Sequence, residues 1–392
     1  MIKQKMIEFG NAPNAIRTLF MWGLERKKVV GDNGVYDFSI GNPSVPAPEA
    51  VKQSILRQLD EDPVATHSYS TSAGIESVRE TVADFISKKF NFPATANNFF
   101  LTHGASQALA ASFYAVVNPG EEVIVPTPYF VEYKTYIDTA EGVLVKVMCD
   151  PKTFQLDVDA IEAAINEKTA AIVLNSPNNP TGAVYSRESL EKLASVLKAK
   201  EAEFGTQIYV ICDEPYRDIT FGAEVPWVPA IYDRTIICNS CSKSLSLPGE
   251  RIGYIYVSDT MDNARDTYTA ISGSARRLGH ICAPVMFQKV LQDCIAEPTN
   301  VEQYAENREL LTSMLDELGF EYIEPQGAFY LWMKALEPDA EEFSLKARGL
   351  DLLIVPSNSF GVDGWVRLSY CISKDTIINS RPAFEKLKAL YE

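Results

Sequence analysis

Lys243 closes the run Ser240-Cys-Ser-Lys243, and Arg251 follows eight residues later, with Pro248-Gly249 between them. A lysine at the end of an apolar run, within reach of a second cation, holds its proton less tightly and can attack an aldehyde as a free amine. Three other clusters carry polar groups of the same kind. Asp213-Glu-Pro-Tyr216 brings a carboxylate out of a strongly apolar stretch, where it needs a positive partner or several donors. Asn175-Ser-Pro-Asn-Asn-Pro-Thr-Gly182 is turn-rich, and Asn179 within it can offer an amide to a phenolate or carboxylate oxygen. Gly104, Ala105 and Ser106 open a helical pattern, where backbone N–H groups and a hydroxyl can hold a phosphate. Taken singly, each cluster reads as readily as an ordinary turn, loop or surface charge. Together they point to one site.

These clusters share a position: each follows a short apolar run. Between Asn98 and Val257 such runs alternate with longer helical patterns, which predicts a mostly parallel sheet covered by helices. The predicted strands are Phe99–Leu101, Glu122–Val125, Ala171–Asn175, Gln207–Ile211, Thr235–Cys238 and Ile252–Val257. Helices are predicted over Ser106–Val117 and over Arg187–Glu203, the latter capped by Ser186. Open sheets of this type bind ligands beyond their strand ends. After about Ile281 the pattern changes to a polar helix over Val301–Leu318 and strands at Glu321–Ile323, Phe329–Met333, Leu352–Val355 and Val366–Tyr370, a smaller α+β unit. Before Gly41, the helical stretch Asn14–Lys27 is too small to bury a core, so it is expected to pack on the small unit or on a second subunit.

Composition narrows the partners. A length of 392 residues, with 46% hydrophobic and 22% charged residues, is that of a packed globular chain of two or three units. A net charge of −16 argues against nucleic acid or an anionic membrane as partner. No uncharged apolar run approaches the ~20 residues of a membrane helix, and residues 1–10 lack a signal-peptide core, so a cytoplasmic protein is expected. Seven cysteines suit a reducing compartment. Cys238 and Cys241 form one C-x-x-C, but no second pair exists and His67, His103 and His280 are not spaced as ligands. The pair therefore reads as incidental, and no metal is expected.

From about Phe38 to Tyr370 these spacings resemble the fold-type I pyridoxal-phosphate family, specifically the class I and II aminotransferases, and among them bacterial aspartate aminotransferases. The resemblance implies an α/β fold: a large domain with a mostly parallel seven-stranded sheet flanked by helices, plus a smaller α+β domain. The expected division is an N-terminal segment 1–40, a large cofactor-binding domain 41–285 and a small C-terminal domain 286–392.

It implies pyridoxal 5'-phosphate as cofactor and Lys243 as the Schiff-base lysine. Ser240, Ser242 and Arg251 then lie at the phosphate with Gly104, Ala105 and Ser106. Asp213 pairs with the ring nitrogen, and Asn179 and Tyr216 bond the ring oxygen. Phe130 stacks on the ring, with Tyr129 the alternative one residue away. Tyr69 is sent to the phosphate of a neighbouring subunit's cofactor, so a homodimer with shared active sites is implied. Arg367, in V-R-L-S, takes the substrate carboxylate with Gly41 and Asn179 beside it.

The expected reaction moves an amino group between an L-amino acid and a 2-oxo acid. Aspartate or glutamate is favoured; an aromatic or other neutral substrate, or C–S β-elimination on the same scaffold, is the alternative. The position at which some relatives place a substrate-binding lysine is Ser106 here, leaving Arg276, Arg277 and, more weakly, Arg17 as cations for a distal carboxylate. A DNA-binding regulator would need a basic module before Gly41, and a dinucleotide dehydrogenase a G-x-G-x-x-G; the sequence has neither.

Overall fold

The computed structural model describes residues 2–12 and 14–392; Met1 and Pro13, both within segment 1–40, lie outside the described residues. Its centre is a seven-stranded sheet. In spatial order the strands are Phe99–Thr102, Gly253–Val257, Thr235–Ser240, Tyr209–Asp213, Thr169–Asn175, Glu122–Thr127 and Val143–Met148. Only Gly253–Val257 runs antiparallel to its neighbours, so the sheet is mostly parallel.

Alternation along each strand explains why helices cover both faces. Ile172 and Leu174 enter one apolar cluster and Ala171 and Val173 another, because successive side chains point to opposite faces. On the second face lies the helix Ala105–Val116, packed beside Ala264–Arg277. On the first lies Arg187–Phe204, whose N-cap Ser186 accepts from the backbone N–H of Ser189 at 3.1 Å and whose left-handed C-cap is Gly205.

Val143–Met148 is absent from the strands predicted by sequence. It is the sheet edge, mostly exposed or half-buried, and Lys146 interrupts its apolar run. Predicted Gln207–Ile211 begins two residues later, at Tyr209, and runs on to Asp213.

The smaller unit has a four-stranded antiparallel sheet ordered Val355–Pro356, Trp365–Ser369, Tyr330–Lys334 and Tyr322–Ile323. Predicted strand Leu352–Val355 is divided in two: Leu352–Leu353 pairs in parallel with Tyr36–Asp37, and Val355–Pro356 pairs with Trp365–Ser369. An unbroken apolar run does not reveal that its halves have different partners. The N-terminal segment thus contributes a strand beside the small unit, and helix Ala15–Val30 is tied there by Arg26 to Asp351 at 2.6 Å. Among the described residues, no helix is long and apolar enough to cross a membrane.

Candidate active site

Strand ends place the chemistry. Thr102, Asn175, Asp213 and Ser240 terminate strands of like direction, so the segments that follow them emerge on one edge of the large sheet. Arg367 reaches the same place from the middle of strand Trp365–Ser369 in the small sheet. Between them lies a cavity of about 260 Å³ lined by Gly41, Ala105, Ser106, Phe130, Asn179, Asp213, Tyr216, Ser240, Ser242, Lys243, Arg251 and Arg367. Gly104 is adjacent as the N-cap of helix Ala105–Val116.

Lys243 sits in the single helical turn Cys241–Ser244. Its Nζ donates to the carbonyl oxygen of Gly41 at 2.6 Å and lies 5.4 Å from the ring centre of Phe329. Burial lowers its ammonium to about 8; the charges of Arg367 and Arg251 push the same way, while Cys371 opposes them.

Asp213 is 4% exposed. Its Oδ2 accepts from the Tyr133 hydroxyl at 2.6 Å, while Oδ1 is buried without any hydrogen-bond partner. Burial raises this carboxyl to about 7, against the opposing Tyr133 hydrogen bond and with a smaller contribution from Glu214. An orphaned buried acceptor facing a cavity is costly unless a donor or cation arrives. The cationic nitrogen of a pyridine ring fits that vacancy in chemistry and sign.

The asparagine loop is stapled to the sheet by Asn175, whose Nδ2 donates to the Asp213 carbonyl at 2.8 Å and whose Oδ1 accepts from the Asn179 backbone at 2.7 Å. Arg367 donates through Nη1 to Asn179 Oδ1 at 3.0 Å and through Nη2 to the Ser39 carbonyl. That leaves Nδ2 as the Asn179 group free to donate. The guanidinium lies 4.5 Å from the Tyr330 ring centre and 5.2 Å from that of Phe360, with Nε buried and unpartnered. Tyr216 and Tyr330 share a hydroxyl contact of 3.0 Å.

An anion seat completes the site. Gly104 has φ +85°, and a Cβ there would come within 2.7 Å of Arg251 Nη2, so only glycine gives both the backbone angle and the close approach. Arg251 is held by the carbonyls of Pro248 at 2.8 Å and His103 at 3.1 Å. The free N–H groups of the helix start, Ser106, Ser240 and a guanidinium therefore converge, which suits a phosphate.

Other sequence candidates fall elsewhere. Phe130 lines the cavity, whereas Tyr129 is buried against Gly361. Tyr69 is 85% exposed and does not line the cavity of its own chain. Arg17, Arg276 and Arg277 are exposed and outside it. Cys238 and Cys241 are buried free thiols. Sequence reasoning did not single out Ile16, Leu109 or Tyr133. The first two carry no signal beyond apolar periodicity, while Tyr133 lies three residues after Phe130, across the turn that leads into helix Tyr133–Thr139.

The family model for aminotransferase class I and II matches residues 33–379. A crystal structure of an amino transferase from Eubacterium rectale superposes with a TM-score of 0.98 at 43% identity, covering 100% of this chain and 99% of that one. The aspartate aminotransferase of Thermotoga maritima is 30% identical over 90% of each chain. The aspartate/prephenate aminotransferase of Thermus thermophilus is 32% identical over 88% of each.

Proposed function

The chain belongs to the class I and II aminotransferases and uses pyridoxal 5'-phosphate, and from that premise we propose which residues carry out the transfer and on which substrates. The observation that carries the proposal is the cavity itself: a half-buried lysine of lowered basicity, an aspartate with one bare oxygen and a buried arginine face one space.

When bound, the cofactor supplies an aldehyde and a ring that accepts the electron pair released at the substrate's Cα. Lys243 would be the residue to hold the cofactor's aldehyde, and its amine, of lowered basicity, would serve as general base toward the substrate's Cα proton. Arg367 grips the α-carboxylate, helped by Asn179 and the backbone at Gly41, and so fixes which Cα bond is cleaved. Asp213, with its bare Oδ1, would hold the positive charge at the ring nitrogen. Asn179 and Tyr216 would hold the ring oxygen, and Phe130 would offer its ring to the cofactor's. Gly104, Ala105, Ser106, Ser240, Ser242 and Arg251 seat the phosphate. Tyr69, exposed on its own chain, is assigned to the site of a partner subunit in a cytoplasmic homodimer. Segment 1–40, domain 41–285 and domain 286–392 are the corresponding units.

Relatives named as aspartate aminotransferases support aspartate or glutamate as amino donor. One observation favours a second reading, a neutral or aromatic side chain: among the described residues the cavity's cations are Lys243, Arg251 and Arg367, all assigned, and Ile16, Leu109 and Tyr330 supply apolar wall. A dicarboxylic substrate then needs a cation from the partner subunit.

Absorption spectroscopy of the holoenzyme separates the readings. Bleaching of the visible band by L-aspartate, and its return with a 2-oxo acid, supports the dicarboxylic reading; bleaching by L-phenylalanine alone supports the neutral one. Release of pyruvate and ammonia from a cysteine thioether would replace transfer by β-elimination.

A further inference from the structure

Tyr133 is 2% exposed and begins the helix Tyr133–Thr139, one turn after Phe130. Two of its side-chain contacts concern the site. Its hydroxyl donates to Asp213 Oδ2 at 2.6 Å, and its ring meets that of Phe130 edge-on, with centres 5.6 Å apart and planes at 83°. Its backbone N–H donates to the Phe130 carbonyl at 3.1 Å and so closes the turn between them. An ordinary core tyrosine satisfies its hydroxyl on any carbonyl. This one is spent on a carboxylate that has no other donor.

We propose that Tyr133 is a positioning residue for the cofactor ring: by capping Oδ2 it favours the ionised form of Asp213 and leaves Oδ1 as the one free acceptor, and by propping Phe130 it holds the aromatic wall beside it. The inference rests on the reading of Asp213 as partner of the ring nitrogen. Physically, the proton must stay on the phenol. Burial and the neighbouring Asp213 charge both raise the Tyr133 hydroxyl well above its ordinary range, which favours the phenol as the donor of the pair. Donation from a neutral phenol stabilises the carboxylate without neutralising it, which a lysine or arginine at this place would do. Without the donor both Asp213 oxygens would be bare, protonation would be favoured, and a protonated aspartate cannot balance a cationic ring nitrogen.

The test compares apoenzyme binding of pyridoxal phosphate with that of its carbocyclic analogue, in which CH replaces the ring nitrogen. Wild type, Tyr133→Phe and Tyr133→His are titrated by fluorescence quenching. Removing a hydrogen bond to a charged group predicts that Tyr133→Phe loses about tenfold or more in affinity for pyridoxal phosphate. Binding of the analogue changes little, and Tyr133→His, which restores an N–H donor, recovers much of the loss. Equal losses for both ligands would reduce Tyr133 to general packing, and no loss would remove it from the role. Should Tyr133→Phe fail to fold, the prediction stands on Tyr133→His retaining the preference for the nitrogen-containing ring, and loss of that preference would overturn it. Failure of the wild type to bind pyridoxal phosphate would sink the functional reading instead, which keeps the two separable.

Discussion

The Nζ of Lys243 lies 2.6 Å from the carbonyl oxygen of Gly41, although 202 positions separate them in the chain. The contact joins the end of a central sheet strand to the segment that leads from the N-terminal helices into the large unit, and it gives the lysine amine a single direction. Burial holds the same amine near 8, so its nucleophilic form is accessible near neutrality.

The pH dependence of cofactor capture follows from that value. The neutral fraction of Lys243 rises about tenfold per pH unit below 8 and levels off above it. Stopped-flow mixing of apoenzyme with pyridoxal phosphate should show the visible band forming faster with rising pH and reaching a plateau near pH 8 to 9. Lys243→Ala should form no such band and lose at least about 10²–10⁴-fold in transfer rate, the usual range for removing a general acid–base group. A flat rate from pH 6 to 9 would assign capture to another group.

Asp213 predicts an opposite trend in stability. Its folded value, about 7, is raised above the 3.8 of an ordinary aspartate, so the folded apoenzyme binds this proton more tightly than the unfolded chain. The contribution is fully present below about pH 4 and is lost as pH rises through 7, an effect on the order of 4 kcal/mol at most. Denaturant unfolding of the cofactor-free protein should therefore show Asp213→Asn more stable than wild type at pH 8 and not at pH 4. Bound pyridoxal phosphate should erase that advantage, because the wild-type carboxylate then has its cation. If the two apoproteins are equally stable at pH 8, the bare Oδ1 carries no such cost.

How much of this was legible depended on whether a signal was local. Thr169–Asn175 and Tyr209–Asp213 are apolar runs ending in a polar residue, and that pattern reveals both the strand and the site residue at its tip. The edge strand Val143–Met148 lacks the pattern because one side faces solvent. The reversed direction of Gly253–Val257 was equally hidden, since hydrophobic runs carry no polarity. Within the site, turn-rich and glycine-bearing segments were readable from composition. Tyr133 was not, because a buried tyrosine in a helix looks the same in sequence whether its hydroxyl meets a carbonyl or Asp213. The contact of the Tyr330 ring with Arg367 was hidden as well, because it arises from a pairing of two strands remote in the chain.

Arg367 is expected to act on substrate more than on cofactor. Its two terminal nitrogens are fixed by Asn179 Oδ1 and the Ser39 carbonyl, which presents the planar fork in one orientation. Arg367→Lys keeps the charge and loses the fork, and should raise KM for the amino acid by about 10–100-fold, the equivalent of one or two charge-assisted hydrogen bonds. The visible spectrum of the holoenzyme should change little. A large spectral shift with unaltered KM would move Arg367 from the substrate to the cofactor.

Gly41 offers a test of how tightly the two sheets are fitted together around the site. A Cβ at this position would fall 1.9 Å from the Tyr330 hydroxyl oxygen and 2.7 Å from Cζ. Tyr330 cannot retreat freely, because its ring lies against the Arg367 guanidinium and its hydroxyl meets that of Tyr216. Gly41→Ala should thus cost about 1–3 kcal/mol of stability, typical of overpacking, and should weaken substrate binding by shifting Arg367 and the carbonyl that receives Lys243. Tyr330→Leu removes the atoms in the way. In that background Gly41→Ala should cost much less, so a double-mutant cycle on denaturant midpoints should yield a coupling of about 1 kcal/mol or more. Additive losses would mean that the backbone at Gly41 relaxes away from Tyr330, and that the glycine is needed for its own conformation and not for the approach of the two sheets.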